Sequence, residues 1–167
     1  MTYIDGIAKC SVIEIKQRLE KLLNEANEAA VFFDLDGKKL EVLNRDHPQH
    51  LMCYGLLLQE AKVIEEFIKS KLESIEAIIY KETIENSQRA LTATDIKMWI
   101  KGDERYTQYN QLLVDSGYVK NMLQSIIDAL QTMGWSLSNI VKLRIAAIED
   151  ITLWKQLLMY LMKLIVL

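Results

Sequence analysis

Apolar residues recur at steps of three and four along most of this chain, which is the period of a helix with one buried face. Between Ser11 and Ala30 the positions are Val12, Ile15, Leu19, Leu22, Leu23 and Ala26. Ser11 stands before the run and Glu14 three places on, so a hydroxyl and a carboxylate can satisfy the free amides at a helix start reciprocally. A second run, Leu57, Ala61, Ile64, Ile68, Leu72, Ile75 and Ile79, follows His47-Pro48 with no breaker before Arg89. Proline suits a first helical turn, so the pattern predicts that this helix opens at Pro48. About 40 residues at ~1.5 Å each make a rod of roughly 60 Å. That length exceeds what one compact domain of this size should cover, so neighbouring copies are expected to bury Leu57, Ile64, Ile68, Leu72, Ile75 and Ile79.

Between these helices lies the one candidate for β structure, 30–44. Val31, Phe32 and Phe33 lead to Asp36-Gly37, with a second apolar run behind. The segment reads either as a hairpin or as an extended connection whose aromatic residues plug a helical core. Downstream, Thr92 or Thr94 can cap a short helix through Trp99, and Gly102-Asp103 can end it and start the next. Val119, Met122, Ile126, Leu130 and Met133 then form another stripe. Gly134 is the predicted stop, and Ser136 or Ser138 the start of a last helix. Residues 151–167 are strongly apolar apart from Thr152, Lys155, Gln156 and Lys163. A segment of that length, at the lower edge of a bilayer span and with two lysines inside, is read as a helix buried between subunits through Trp154, Leu158 and Leu161, rather than as an interfacial membrane helix.

The expected architecture is therefore all-α: long amphipathic helices in an elongated bundle forming one domain over 1–167. Its parts are an N-terminal helix (1–30), a connector or hairpin (31–47), a long helical region (48–150) and an apolar final helix (151–167). Half of the 167 residues are hydrophobic and 26% charged, and one proline with six glycines leaves few places to interrupt an element. No charged start leading to an apolar core and a small-residue cleavage site opens the chain, so a cytoplasmic protein is expected. Cys10 and Cys53 lack metal-ligand spacing and read as buried thiols.

The formal charge of -3 argues mildly against a nucleic-acid binder, yet it is uneven. Through Gly37 the chain has four basic and seven acidic residues, and from Lys38 onward 16 of each. Lys62 and Lys69 share a helix face. Lys71, Tyr80, Lys81 and Arg89 follow along the same rod, and Trp99 between Lys97 and Lys101 offers an aromatic ring among cations, a pairing that stacks bases and neutralises phosphate. Ordinary helix-surface pairs such as Glu65 with Lys69 and Glu85 with Arg89 explain many of these charges equally well.

Catalytic signals are weak. Val31 to Gly37 resembles the nucleophile motif of the haloacid-dehalogenase phosphatases, in which two aspartates bind magnesium at a strand end. Here Lys38 replaces the expected threonine and no alternation of strands and helices surrounds Asp34 and Asp36. The same residues fail as a calcium loop at Lys38, and His47 with His50 lacks further zinc ligands. No cofactor, metal or enzymatic activity is expected.

Several segments, in order, resemble the UvsY family of phage recombination mediators. They are Asp36 to Leu40 leading to His47 to Leu51, then Leu91 to Ile96 with Gly102-Asp103, Val119 to Leu130, Gly134-Trp135 and Asn139-Ile140. The likeness covers most of the chain between Asp36 and Glu149. It implies a small helical protein that binds single-stranded DNA, forms rings, and helps load a RecA-type recombinase onto strands covered by single-strand-binding protein. The family's basic patch with tandem tyrosines is represented by Lys69, Lys71, Tyr80, Lys81 and Arg89 among glutamates. The apolar tail after Asp150 extends past the resemblance. The alternative is a phage structural or adaptor protein that works only through helix-mediated protein contacts.

Overall fold

A computed structural model describes residues 11–34, 37–87 and 91–165, with side chains as far as 147. Its elements are α1 (Val12–Glu28), α2 (Ala30–Phe33), α3 (Leu40–Asn86), α4 (Ala93–Gly102) and α5 (Glu104–Ile165), and no strand occurs among the described residues. The protein is all-α.

α1 begins as its sequence predicts. Ser11 Oγ accepts from the Glu14 amide at 3.3 Å, and the Glu14 carboxylate accepts from the Ser11 amide at 2.6 Å. Ile15, Leu19, Leu22 and Ala26 are its buried face. The β-favouring residues that follow are helical instead: Val31, Phe32 and Phe33 belong to α2, so no hairpin forms from them. Phe32 accounts for this. Its ring stacks at 4.0 Å on His50 and meets Tyr54 edge-on at 5.9 Å, so burial of the aromatic against α3 decides the local conformation. The alternative reading, an extended connection whose aromatics plug a helical core, holds only for the packing of Phe32: the segment is helical rather than extended, and Phe33 is exposed. Gly37 turns the chain into α3 with φ at 71°, a left-handed geometry that glycine adopts without penalty.

α3 starts at Leu40, not at Pro48, which lies inside the helix. A proline there removes one ladder hydrogen bond and costs about 3 kcal/mol in an isolated helix. Leu40, Leu43 and His47 are half-buried and continue the inward face of α3, so packing extends the helix past its local stop signal. Gly134 likewise does not end a helix. α5 runs unbroken through Gly117 and Gly134 for 62 residues, about 90 Å.

This continuous α5 overturns the expected need for neighbouring copies. It lies antiparallel to α3, in a register fixed by Arg105 on Glu82 at 2.7 Å, Lys120 on Glu65 at 2.7 Å, and Gly134 against His47. The stripe on α3 faces it and is sheltered within one chain. Ile64 and Ile68 are 0% exposed, Leu72 7% and Ile79 4%, while Leu57 and Ile75 are half-buried. Ile64, Ile68, Leu72 and Ile79 are thus intrachain core and not an oligomer interface, whereas Leu57 and Ile75 keep part of their surface open. Reading Gly134 as a stop had hidden the partner long enough to cover the rod. Trp154, Leu158 and Leu161 lie outside the residues whose side chains are described.

α1 completes a three-helix section around the middle of α3. Tyr54 donates to the Glu25 carbonyl at 3.1 Å and Arg18 sits 3.9 Å from Glu60. Leu123 and Leu130 from α5 join Ile15 and Leu19 of α1 and Ala61 and Ile64 of α3 in one apolar cluster. Within it Glu65 is a buried carboxylate, 8% exposed, held by Lys120 and Lys69 at 2.7 and 3.2 Å. Burial disfavours its charge, but the hydrogen bonds from Lys120 and Lys69 outweigh that and hold its carboxyl below the usual range. No helix among the described residues is long and apolar enough to cross a membrane.

Candidate nucleic-acid interface

Where α3 ends, α4 folds back beside it and α5 begins. α4 is capped at its start by Thr92, whose hydroxyl accepts from the Asp95 amide at 3.2 Å while the Asp95 carboxylate accepts from the Thr92 amide at 3.0 Å. Asp103 accepts from the Arg105 amide at 2.8 Å and so satisfies a free donor at the start of α5. Arg105 also reaches Glu82 through both terminal nitrogens, at 3.3 and 2.7 Å, tying α5 to the last turns of α3. Hydrogen bonding to Arg105 holds the carboxyls of Glu82 and Asp103 below their usual range, and these two partners raise Arg105 in turn.

Between these elements lies an open groove of about 1040 Å³. Ile79, Leu91, Met98 and Trp99 give it apolar walls; Thr83, Asn86 and Ser87 offer hydrogen-bonding groups; Glu82, Gly102 and Asp103 close one side. Trp99 is 65% exposed and Met98 69%, so both present apolar surface to solvent. Such a combination of a flat ring, an apolar floor and neutral polar edges accommodates an unstacked base. The two carboxylates at its side are engaged by Arg105, which reduces their repulsion toward a phosphate.

The sequence-predicted cations divide into two groups. Tyr80, Lys81, Lys97, Trp99 and Lys101 all come to this end of the hairpin. Lys97 and Lys101 are exposed and form no ion pair among the described residues, whereas Lys81 lies 3.8 Å from Glu85. Trp99 is two residues from each lysine and so projects from the opposite side of α4; the ring faces the groove and the cations stand behind it. It is not sandwiched between charges as its spacing had suggested. Tyr80 is half exposed. Arg89 lies outside the described residues.

The remaining predicted cations do not join this cluster. Lys62 is exposed on the middle of α3. Lys69 is occupied by Glu65 and Glu66 at 3.2 and 2.8 Å, and Lys71 lies over the Phe67 ring at 5.5 Å from its centroid. The rod therefore offers fewer unengaged cations than its lysine count implied. Sequence reasoning missed Thr83, Asn86, Ser87, Leu91 and Met98. Of these, Met98 beside Trp99 in a short, separately capped helix was the available signal.

Other predicted features also find their places. Cys53 is exposed, not buried, because its position turns away from the α3 core face; Cys10 and Asp36 lie outside the described residues. Asp34 caps the C-terminus of a helix and follows no strand, so the setting of the phosphatase motif is missing there. No group of three potential metal ligands occurs among the described residues. Comparison with protein-family models, curated proteins and solved structures found no match to this chain.

Proposed function

We propose that this protein is a single-stranded-DNA-binding recombination mediator: a helical homo-oligomer that holds a strand and passes it to a RecA-type recombinase in the presence of single-strand-binding protein. The observation that carries the reading is the groove at the α3–α4 end, where exposed Trp99 faces neutral polar groups while two unpaired lysines stand on the opposite side of the same short helix. Stacking on the ring is sequence-tolerant, and the lysines supply phosphate neutralisation.

Support also comes from the segments that resemble the UvsY family. His47 packs on Gly134, joining two of them, and Leu91 to Ile96 with Gly102-Asp103 builds the groove. One groove with few free cations binds weakly. Repetition of it around an assembly raises the effective concentration of sites and lets a chain of net charge -3 retain DNA. Since α3 is covered by its own chain, the copies must meet through other surfaces; the apolar sequence of 151–167 is the candidate. The partners and the recombinase follow from the resemblance.

The test is an anisotropy titration of labelled oligonucleotide at low ionic strength. Salt-sensitive binding that falls in Trp99→Ala and in a Lys97→Glu/Lys101→Glu double variant is expected. An absence of affinity in the wild type would rule the function out. A second reading, an adaptor acting only through protein contacts, is favoured by the exposed Met52 and Leu56 on α3. It predicts no DNA response in any variant.

A further inference from the structure

The opposite end of the hairpin carries a second aromatic among cations. Trp135 is 75% exposed, higher than any other large hydrophobic side chain described, although its neighbour Gly134 is pressed against His47. Lys142 follows seven residues later, two helical turns and about 10 Å away on the same face of α5. From 129 to 148 the sequence contains Lys142 and Arg144 and no acidic residue at all. Both cations are exposed and unpaired among the described residues.

The antiparallel register adds charge from the other helix. With His47 opposite Gly134, the start of α3 at Leu40 falls opposite 141, so Lys39, which precedes it, comes to this end, while the Lys38 ammonium donates to the Val31 carbonyl at 3.2 Å. Glu41 and Asp46 are the nearby acids on α3, and Asp46 is held by Arg45 at 2.8 Å. Basic residues therefore exceed described acidic ones here, unlike the middle of α3, where glutamates occupy Lys69. A largely exposed indole with the Lys142 ammonium on the same helix face suits a polyanion with stackable rings, and that face presents both to one occupant.

We infer that this end is a second contact surface for single-stranded nucleic acid, with Trp135 stacking a base and Lys142, on the same face of α5, holding an adjoining phosphate; Arg144, nine residues from Trp135, projects from the opposite side of the helix and is not part of the surface. The inference rests on the DNA-binding reading above and extends it. The two surfaces lie about 50 Å apart along α3, so a long strand bridges them within one chain while a short one engages a single end. Bridging makes the second contact intramolecular, and affinity then depends on strand length beyond a simple count of sites.

The experiment uses the full chain, long and short labelled oligothymidylate, and vesicles of phosphatidylserine with phosphatidylcholine. Trp135→Ala and Lys142→Glu each lower affinity for the long strand about tenfold, Trp135→Phe restores most of it, and Arg144→Glu, on the opposite side of α5, changes it less than Lys142→Glu does. Lys142→Glu also flattens the salt dependence. Because Trp135 is exposed, circular dichroism of Trp135→Ala should match the wild type. Unchanged long-strand affinity in Trp135→Ala and Lys142→Glu, with binding lost in Trp99→Ala, overturns this surface and leaves the groove intact. If the wild type binds no strand, both readings fail. If Trp135→Ala loses vesicle binding but not strand binding, the surface serves lipid and the inference is wrong.

Discussion

His47 lies so close to Gly134 that a methyl group on the glycine would come within 2.6 Å of the imidazole Nε2. Glycine inside a helix is about 1 kcal/mol less favourable than alanine, and here it lets α3 and α5 approach. The His47 Nδ1 is buried without a hydrogen-bond partner, so the ring is fixed by packing rather than by polar contacts.

That contact gives a signed prediction. Gly117, in the same helix, has open space where its Cβ would be, so Gly117→Ala should stabilise by about 1 kcal/mol. Gly134→Ala should instead destabilise by about 1 kcal/mol, since displacement of His47 exceeds the helical gain. In a His47→Ala background the same substitution should become stabilising by about 1 kcal/mol. Urea unfolding of the four variants checks the cycle; additivity would show that His47 moves aside freely.

The buried Glu65 predicts both a pH response and a mutational asymmetry. Its carboxyl titrates below the ordinary 4.5 in the folded chain, so its contribution is complete at neutral pH. It is lost as pH falls below about 4.5 and through the folded value, because the unfolded state takes up the proton first. Lys120→Met should cost about 2 kcal/mol, since it strips one partner from a charge that stays buried. Glu65→Met/Lys120→Met should recover most of that loss and remove this part of the acid sensitivity. Chemical melts at several pH values between 3 and 7 separate the two variants.

Much of the helical grammar was legible in local sequence because its causes are local. Ser11 with Glu14, and Thr92 with Asp95, specify helix starts through hydrogen bonds spanning three residues, and both form. The failures share a different cause. Pro48, Gly134 and the aromatic run at Val31 all carry local signals that distant packing overrides, through His47 on Gly134 and Phe32 on His50. Reading Gly134 as a break shortened α5, and a shortened α5 left the α3 stripe without an intrachain cover. The candidate site was half legible for the same reason. Trp99 and its lysines lie on one short helix, while Thr83, Asn86 and Ser87 enter the groove only because the chain turns back after α3.

Capping of α4 links stability to the candidate site. Thr92→Ala removes the side-chain acceptor of the Asp95 amide and should cost about 1 kcal/mol, concentrated in the α4 segment rather than spread over the bundle. Hydrogen exchange should quicken in α4 and remain unchanged for α3 amides around Ile64 and Ile68. The same variant should weaken oligonucleotide binding without touching a proposed DNA contact. Equal exchange rates in α4 would mean that the α3 contacts alone hold this helix.

The groove itself predicts how binding energy divides between ring and charge. Trp99→Ala should reduce oligonucleotide affinity by about 1–3 kcal/mol, with little change in the salt slope, because stacking releases few counterions. Lys97→Glu/Lys101→Glu should reduce affinity and also flatten the slope of log affinity against log salt by about 2, one for each lost phosphate contact. Lys69→Ala should leave DNA binding unchanged, because Glu65 and Glu66 already occupy that ammonium at 3.2 and 2.8 Å. The contrast distinguishes the α4 end from the rod as the place where a strand is held. A larger loss in Lys69→Ala than in the α4 double variant would move the interface to the middle of α3 and require Lys69 to exchange its carboxylates for phosphate.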